Sequence, residues 1–223
     1  MDGNGRWAKR RGLTRAEGHQ AGTDAARSAI ETCGVLGIEA LTLYSFSTEN
    51  WKRPPEEVAA LMDLVLRMLP LEHDDMMKNG VRFRMIGQRE GLPADVLAVL
   101  DEAESMTQDN NRLLLNIAMN YGARQEIIRA ARSLAEQAAA GTLDPVDIDE
   151  KMISNALWTT GLRDPDLLIR TGGDMRVSNF LLWQISYAEL YVTEQFWPDF
   201  NEAAFHDAIR EFAKRQRRFG GRN

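Results

Sequence analysis

Cysteine and histidine are scarce in this 223-residue chain, and each shortage removes a class of chemistry. Cys33 is the single cysteine, so the chain forms no internal disulfide and no cysteine-ligated zinc site, and a reducing cytoplasm is permitted. The three histidines, His19, His73 and His206, lie far apart with no H-x-x-x-H pair, which argues against a histidine-based metal centre. No apolar run reaches the roughly 18 residues of a membrane-spanning helix, and the opening MDGNGRW has no apolar signal core. A soluble protein with at most peripheral membrane contact is expected. Net positive charge is missing too. The formal charge is −6, which argues against a general nucleic-acid-binding surface. Internal repeats, low-complexity tracts and linkers are absent.

The charge that is present is unevenly placed. Residues 1–22 and 214–223 together carry +8, and the remainder carries −14. Such segregation points to local anion sites. The stretch Met1 to Gly22 sets Asp2 against Gly3, Gly5 and five cations: Arg6, Lys9, Arg10, Arg11 and Arg15. Glycines let backbone N–H groups approach a ligand closely, and the cations complement a ligand carrying several negative charges. A phosphorylated ligand is the simplest reading. A divalent cation such as Mg²⁺, shared between Asp2 and the phosphates, accommodates the acid. These residues alone leave a solvated basic segment open as the alternative.

Hydrophobic spacing predicts a helix over 23–36 closed by Gly37, then a short apolar strand from Ile38 to Phe46 that suits a buried parallel sheet. A polar loop follows, Ser47-Thr48-Glu49-Asn50-Trp51-Lys52-Arg53-Pro54. Pro55, Glu56 and Glu57 suit the first turn of a long helix over 55–78, about 36 Å in length, with a kink at Pro70. Its apolar stripe, from Val58 through Leu61, Met62, Val65 and Met68 to Leu69, is wider than one face. That width fits either a deeply buried helix or the wall of an apolar ligand cavity. Further strands are predicted at 81–87, 113–119, 166–169 and 190–193, and further helices at 93–109, 124–140, 149–157, 180–188 and 201–219. The alternation predicts a single α/β domain over residues 1–223, with a largely parallel central sheet and helices on both faces. Ligands bind such sheets beyond the carboxyl ends of the strands, so the loops Ser47–Arg53, Asn116–Tyr121 and Arg170–Asn179 are expected to converge there.

In the last of these loops, Arg170 and Arg176 flank Gly172-Gly173, and Ser178 is placed to cap the helix predicted over 180–188. Guanidinium forks, free backbone N–H groups and a helix N-terminus favour an anion, diphosphate above all. A tight turn with incidental surface arginines is the alternative. The chain has no G-x-x-x-x-G-K-[ST] and no G-x-G-x-x-G after a strand, so phosphate binding here uses another scheme.

Taken together, MDGNGRWAKRRG with Arg15, Gly18 and His19, FSTENWKRP with Glu57, LNIAMNYGAR, IRTGGDMRVSNFLLWQISYAELY, FWPDF and the terminal RRFGG resemble the cis-prenyltransferase family, and within it the bacterial undecaprenyl diphosphate synthases. The motifs follow the family's order over nearly the whole chain. The resemblance implies a homodimeric, cytoplasmic, Mg²⁺-dependent enzyme that extends an allylic diphosphate, typically farnesyl diphosphate, by successive cis additions of isopentenyl diphosphate. An apolar tunnel would house the growing chain, and the product would be a long-chain lipid carrier for the cell wall.

By the same resemblance, Asp2 is the catalytic aspartate that holds Mg²⁺ and assists diphosphate departure. Gly3, Asn4, Gly5, Arg6, Arg15 and His19 cradle the allylic diphosphate, with Trp7 beside it. Ser47, Thr48, Glu49, Trp51 and Arg53 form a substrate loop in which Asn50 marks the position of proton removal. Arg170, Arg176, Val177 and Ser178 bind isopentenyl diphosphate, and Glu189 is a second metal-associated carboxylate. Arg218-Phe219-Gly220 is expected to reach a partner subunit's active site. Family members carry an apolar strand ahead of the M-D-G-N motif; without it, Asp2 is expected to be poorly anchored and a sheet neighbour unpaired. Glu189 precedes the strand predicted at 190–193, which puts it at the opposite sheet edge from the other site residues unless it acts across a dimer contact. Two rivals remain at this stage. A non-catalytic partner subunit of the same fold is disfavoured by the presence of Asp2, Asn50 and both arginine sites, and a nucleotide-directed phosphate enzyme by the missing nucleotide cradle.

Overall fold

In a computed structural model that describes residues 1–216, a short helix α1 (Asn4–Arg10) leads into the long helix α2 (Arg15–Leu36). Thr14 and Glu17 start α2 with a reciprocal cap: Glu17 N donates to Thr14 Oγ1 at 3.3 Å and Thr14 N to Glu17 Oε2 at 2.7 Å. The helix therefore begins at Arg15 and not at 23, where the apolar spacing becomes visible. It stops at Gly37, whose φ of 68° ends the helical run. α1 lies tightly on α2 because Gly18 has no side chain. A Cβ there would sit 2.4 Å from the Asn4 carbonyl oxygen.

Strands β1 (Ala40–Ser47), β2 (Val81–Ile86) and β3 (Leu113–Tyr121) form a parallel sheet in the order β1-β3-β2, with Leu43, Ile117 and Met85 in register. Two shorter strands, β4 (Leu167–Arg170) and β5 (Glu189–Val192), make a second parallel sheet. Among the described residues, β1 pairs only with β3 and β4 only with β5, so each keeps one unpaired edge. A cavity of about 1450 Å³ is lined by residues of both β1 and β4.

Helix α3 (Pro55–Met68) starts at a proline, which suits the first turn because its missing N–H has no intrahelical partner there. The single helix predicted over 55–78 is in fact two. Pro70 cannot donate to the preceding turn, so a 3₁₀ turn (Pro70–Glu72) separates α3 from α4 (His73–Asn79). Helix α5 (Ala94–Met106) precedes β3, and α6 (Ala123–Ala139) and α7 (Glu150–Ala156) follow it. Helix α8 (Glu202–Ala213) comes last. No helix forms over 180–188. Ser178, Asn179 and Leu181 adopt φ of 49°, 61° and 47°, a left-handed backbone that cannot begin a right-handed helix, and the segment runs as turns. The Arg218-Phe219-Gly220 segment lies outside the described residues.

The larger core packs Leu43, Phe83, Met85 and Leu115 of the three-stranded sheet against Cys33 of α2, Met62 of α3 and Leu100 of α5. Full burial of each such side chain is worth about 1.5–3 kcal/mol. A smaller cluster on Ile86, Ala118 and Tyr121 holds Phe180 and Leu181 of the turn segment. Among the described residues, no helix is long and apolar enough to cross a membrane.

Candidate active site

Asp2 is firmly held, contrary to expectation. Its N–H donates to Thr171 Oγ1 at 3.0 Å, and its carbonyl accepts from Thr171 Oγ1 at 2.8 Å and from Trp197 N at 3.0 Å. The residue after β4 and the 3₁₀ turn Trp197–Asp199 thus anchor it. Gly3 then turns the chain into α1 at φ 108°, with Phe196 so close that a Cβ would meet its ring at 2.6 Å. Only glycine accepts both constraints.

Arg170 ends β4 and reaches in two directions. Its Nη2 donates to Asp2 Oδ2 at 2.8 Å; its Nη1 donates to Ser178 Oγ at 2.8 Å and to the Arg176 carbonyl. Its Nε is buried with no partner among the described residues. Arg6 lies 3.3 Å from Asp2 Oδ1 and donates to the Gly172 carbonyl at 2.9 Å. Partial burial opposes ionisation of Asp2, but the bond and charge of Arg170, then Arg6, outweigh it and hold the carboxyl below its ordinary value. Asp174 completes this cluster, accepting from Arg176 at 2.9 Å and Arg6 at 3.3 Å. It draws together arginines expected to serve two different diphosphates. An aspartate in a glycine-rich turn reads as turn chemistry, which is why the sequence did not single it out.

A second basic cluster lies on α2 and the loop after β1. Glu57 accepts from Arg15 at 3.1 Å and Arg53 at 3.0 Å. Burial, and then the charge of Arg53, lower the pKa of His19 below its ordinary value. Asn50 Oδ1 accepts from Ser47 N at 3.1 Å, which folds the loop back on itself. Trp51 Nε1 donates to Asn120 Oδ1 at 2.7 Å, tying that loop to the end of β3.

One cavity collects Asp2, Asn4, His19, Ser47, Asn50 and Arg53 with Arg170, Arg176, Val177 and Ser178. Gly3, Gly5, Arg6, Arg15, Thr48, Glu49 and Trp51 do not line it; several of them brace the residues that do. Trp7 turns away and donates to Asp199 at 2.8 Å. Ser178 caps no helix and instead accepts from Arg170. Glu189 opens β5, at the opposite end of the strands from Arg170, and its carboxylate accepts from Arg215 at 2.9 Å. Strand direction keeps it apart from Asp2 within this chain. The cavity also has an apolar wall, with Ile30 and Cys33 of α2 and Leu61, Val65 and Met68 of α3 on it. Met62 is buried on the other side of α3, beside α5.

Among the described residues, no three histidine, cysteine, aspartate or glutamate side chains gather into a metal cage. Asp2 offers a single, partly exposed carboxylate at a rim of guanidinium groups. That donor set fits Mg²⁺, which is commonly bound by one or two carboxylates and completes its shell with phosphate oxygens and water.

The chain resembles known proteins over its whole length. The family model described as "Putative undecaprenyl diphosphate synthase" matches residues 1–220. Isoprenyl transferase 2 of Bradyrhizobium diazoefficiens is 50% identical, over 99% of this chain and 88% of that protein. The ditrans,polycis-undecaprenyl-diphosphate synthase ((2E,6E)-farnesyl-diphosphate specific) of Pseudomonas putida is also 50% identical, with the same coverage. Among solved structures, lavandulyl diphosphate synthase of Lavandula x intermedia, bound to dimethylallyl diphosphate, superimposes with a TM-score of 0.96 at 36% identity, covering 99% of this chain and 95% of that one. A probable undecaprenyl diphosphate synthase of Campylobacter jejuni gives 0.80 at 38% identity, covering 90% and 92%. With its motifs, its parallel-strand fold and its arginine-rimmed cavity in agreement, this chain belongs to the undecaprenyl diphosphate synthase family of prenyltransferases.

Proposed function

We propose that this protein condenses isopentenyl diphosphate in cis onto an allylic diphosphate, farnesyl diphosphate in particular, and repeats the addition to build a long polyprenyl diphosphate of the undecaprenyl type. The observation that carries this reading is one cavity that sets Asp2, Arg53, Arg170 and Arg176 beside a wall of apolar side chains from α2 and α3. A diphosphate head needs the first and a growing isoprenoid tail the second.

In this reading the allylic diphosphate lies against α1 and the Arg15, His19 and Arg53 cluster. Isopentenyl diphosphate takes Arg170, Arg176 and Ser178. The allylic C–O bond breaks with its electron pair going to the departing diphosphate, and guanidinium groups at the cavity stabilise that charge. The isopentenyl double bond then attacks the allylic carbon, and the proton released from the new chain leaves near Asn50. A carboxamide is too weak a base to keep it, so the departing diphosphate or water accepts it. Asp2 would hold Mg²⁺, which would supply further neutralisation of the leaving group's charge.

The reading also takes the enzyme to be a cytoplasmic homodimer. Leu190 and Val192, on one face of β5, are 50% and 36% exposed, which supports a partner there, and Glu189 on the same strand would then serve metal binding only across that contact. Asp2 and Asn50 at the cavity count against a non-catalytic partner subunit.

The test is incorporation of labelled isopentenyl diphosphate onto farnesyl diphosphate, with Mg²⁺ and with EDTA, resolving products by chain length. Long products that disappear with EDTA are expected. Absence of incorporation under both conditions would overturn the reading.

A further inference from the structure

Asn179 stands at a junction that none of the expected site residues explains. Its backbone is left-handed, at φ 61°, between two other residues of positive φ, Ser178 and Leu181. Non-glycine residues rarely hold such conformations so close together unless their surroundings impose it. Here four hydrogen bonds do so. The Asn179 carbonyl accepts from Ala123 N at 2.8 Å, and its Oδ1 accepts from Arg124 N at 2.9 Å, so a residue far along the chain caps the first turn of α6. Its Nδ2 donates to Glu49 Oε1 at 2.9 Å and to Gln125 Oε1 at 3.1 Å. Gly122 leaves room for this meeting: a Cβ there would lie 2.7 Å from Asn179 Nδ2 and 2.7 Å from Thr48 Oγ1.

Glu49 adjoins Asn50, and Asn179 adjoins Ser178. One carboxamide therefore bridges the loop that carries Asn50 to the loop that carries Arg170, Arg176 and Ser178. Resting on the proposed reaction, we infer that Asn179 is a positioning residue: its Nδ2 bond to Glu49 sets where bound isopentenyl diphosphate sits relative to Asn50 and the allylic carbon. The cap on α6 is a separate, structural duty of the same side chain, carried by the opposite atom.

That division makes the inference testable. Asn179→Asp keeps the acceptor that caps α6 and a residue type tolerant of the left-handed backbone, but replaces the donor with a carboxylate facing Glu49. The thermal midpoint should move little. The kcat/KM for isopentenyl diphosphate should fall by about 10- to 100-fold, while KM for farnesyl diphosphate stays within about twofold, because the Arg15, His19 and Arg53 cluster is untouched. In a Glu49→Gln background the direction of the bond can reverse, the new carboxamide donating to the new carboxylate, so Asn179→Asp should cost only about threefold or less. An Asn179→Asp enzyme unchanged for isopentenyl diphosphate, one whose KM for farnesyl diphosphate rises by well over about twofold, or one whose loss is the same in the Glu49→Gln background would each overturn the inference. If Asn179→Asp fails to fold, Asn179→Gly, which keeps the left-handed backbone, must show the same selective loss. The unaltered enzyme is assayed alongside: its inactivity would strike at the proposed function, whereas an active enzyme indifferent to Asn179 would strike at this inference alone.

Discussion

Arg170 commits one terminal nitrogen to Asp2 and the other to its own loop, so removing Asp2 frees a guanidinium without unmaking the loop. The backbone of Asp2, and not its side chain, carries the anchor to Thr171 and Trp197. Asp2→Ala should therefore cut turnover by about 10²–10³-fold or more while sparing the fold; steady-state turnover with circular dichroism on the same sample checks both halves, and near-normal turnover refutes the role. His19 carries a pH signature. Burial and Arg53 depress its pKa below the ordinary 6.5, so the neutral ring is the form that the folded state favours. Its contribution to stability is present above 6.5 and is lost as pH falls through the lower folded value. An NMR titration of the ligand-free protein should place the His19 midpoint below 6.5, and a midpoint at or above it would mean the ring is not shielded as described. Asp2, Arg170 and Arg176 were legible in the sequence because charge beside glycine is a local signal. Asp174 and Asn179 were not, since their partners Arg6 and Glu49 lie far away in the chain.

At the scale of elements, α3 separates two roles that one apolar stripe had merged. Val65 lines the cavity, while Met62 is buried toward α5. Val65→Trp should shorten the polyprenyl product by filling the cavity. Met62→Trp should instead overpack the core, costing about 1–3 kcal/mol of stability without a matching shift in product length. Chromatography of products and thermal unfolding of the two variants distinguish them, and unchanged chain length in Val65→Trp would remove that position from the wall. Periodicity found α2, α3, α5 and α6 because each buries one face of the helix. It failed over 180–188, where apolar residues are helically spaced but Asn179 and Leu181 are held left-handed, and it ran through Pro70, where a missing N–H breaks the helix.

Across the whole molecule, β3 is paired on both edges over Leu114 to Ala118, whereas, among the described residues, β4 and β5 pair only with each other and over only four residues. Amides of β3 should exchange slowest, and those of β4 and β5 should open at lower free energy, because fewer bonds and less buried surface hold them. Hydrogen exchange read by mass spectrometry tests this; equal protection would mean that the two sheets open as one unit. Local physics, present in the sequence by itself, determined most of the helices, the parallel strands and the glycine-and-arginine loops, since apolar period, capping residues and charge act between near neighbours; the family came from the resemblance of its motifs. Only the tertiary structure decided that Thr171 anchors Asp2, that Met62 turns from the cavity, and that Asn179 joins two loops. Each of these depends on contacts between residues distant in the chain, and strand direction and packing, which no local window contains, decide which of them meet.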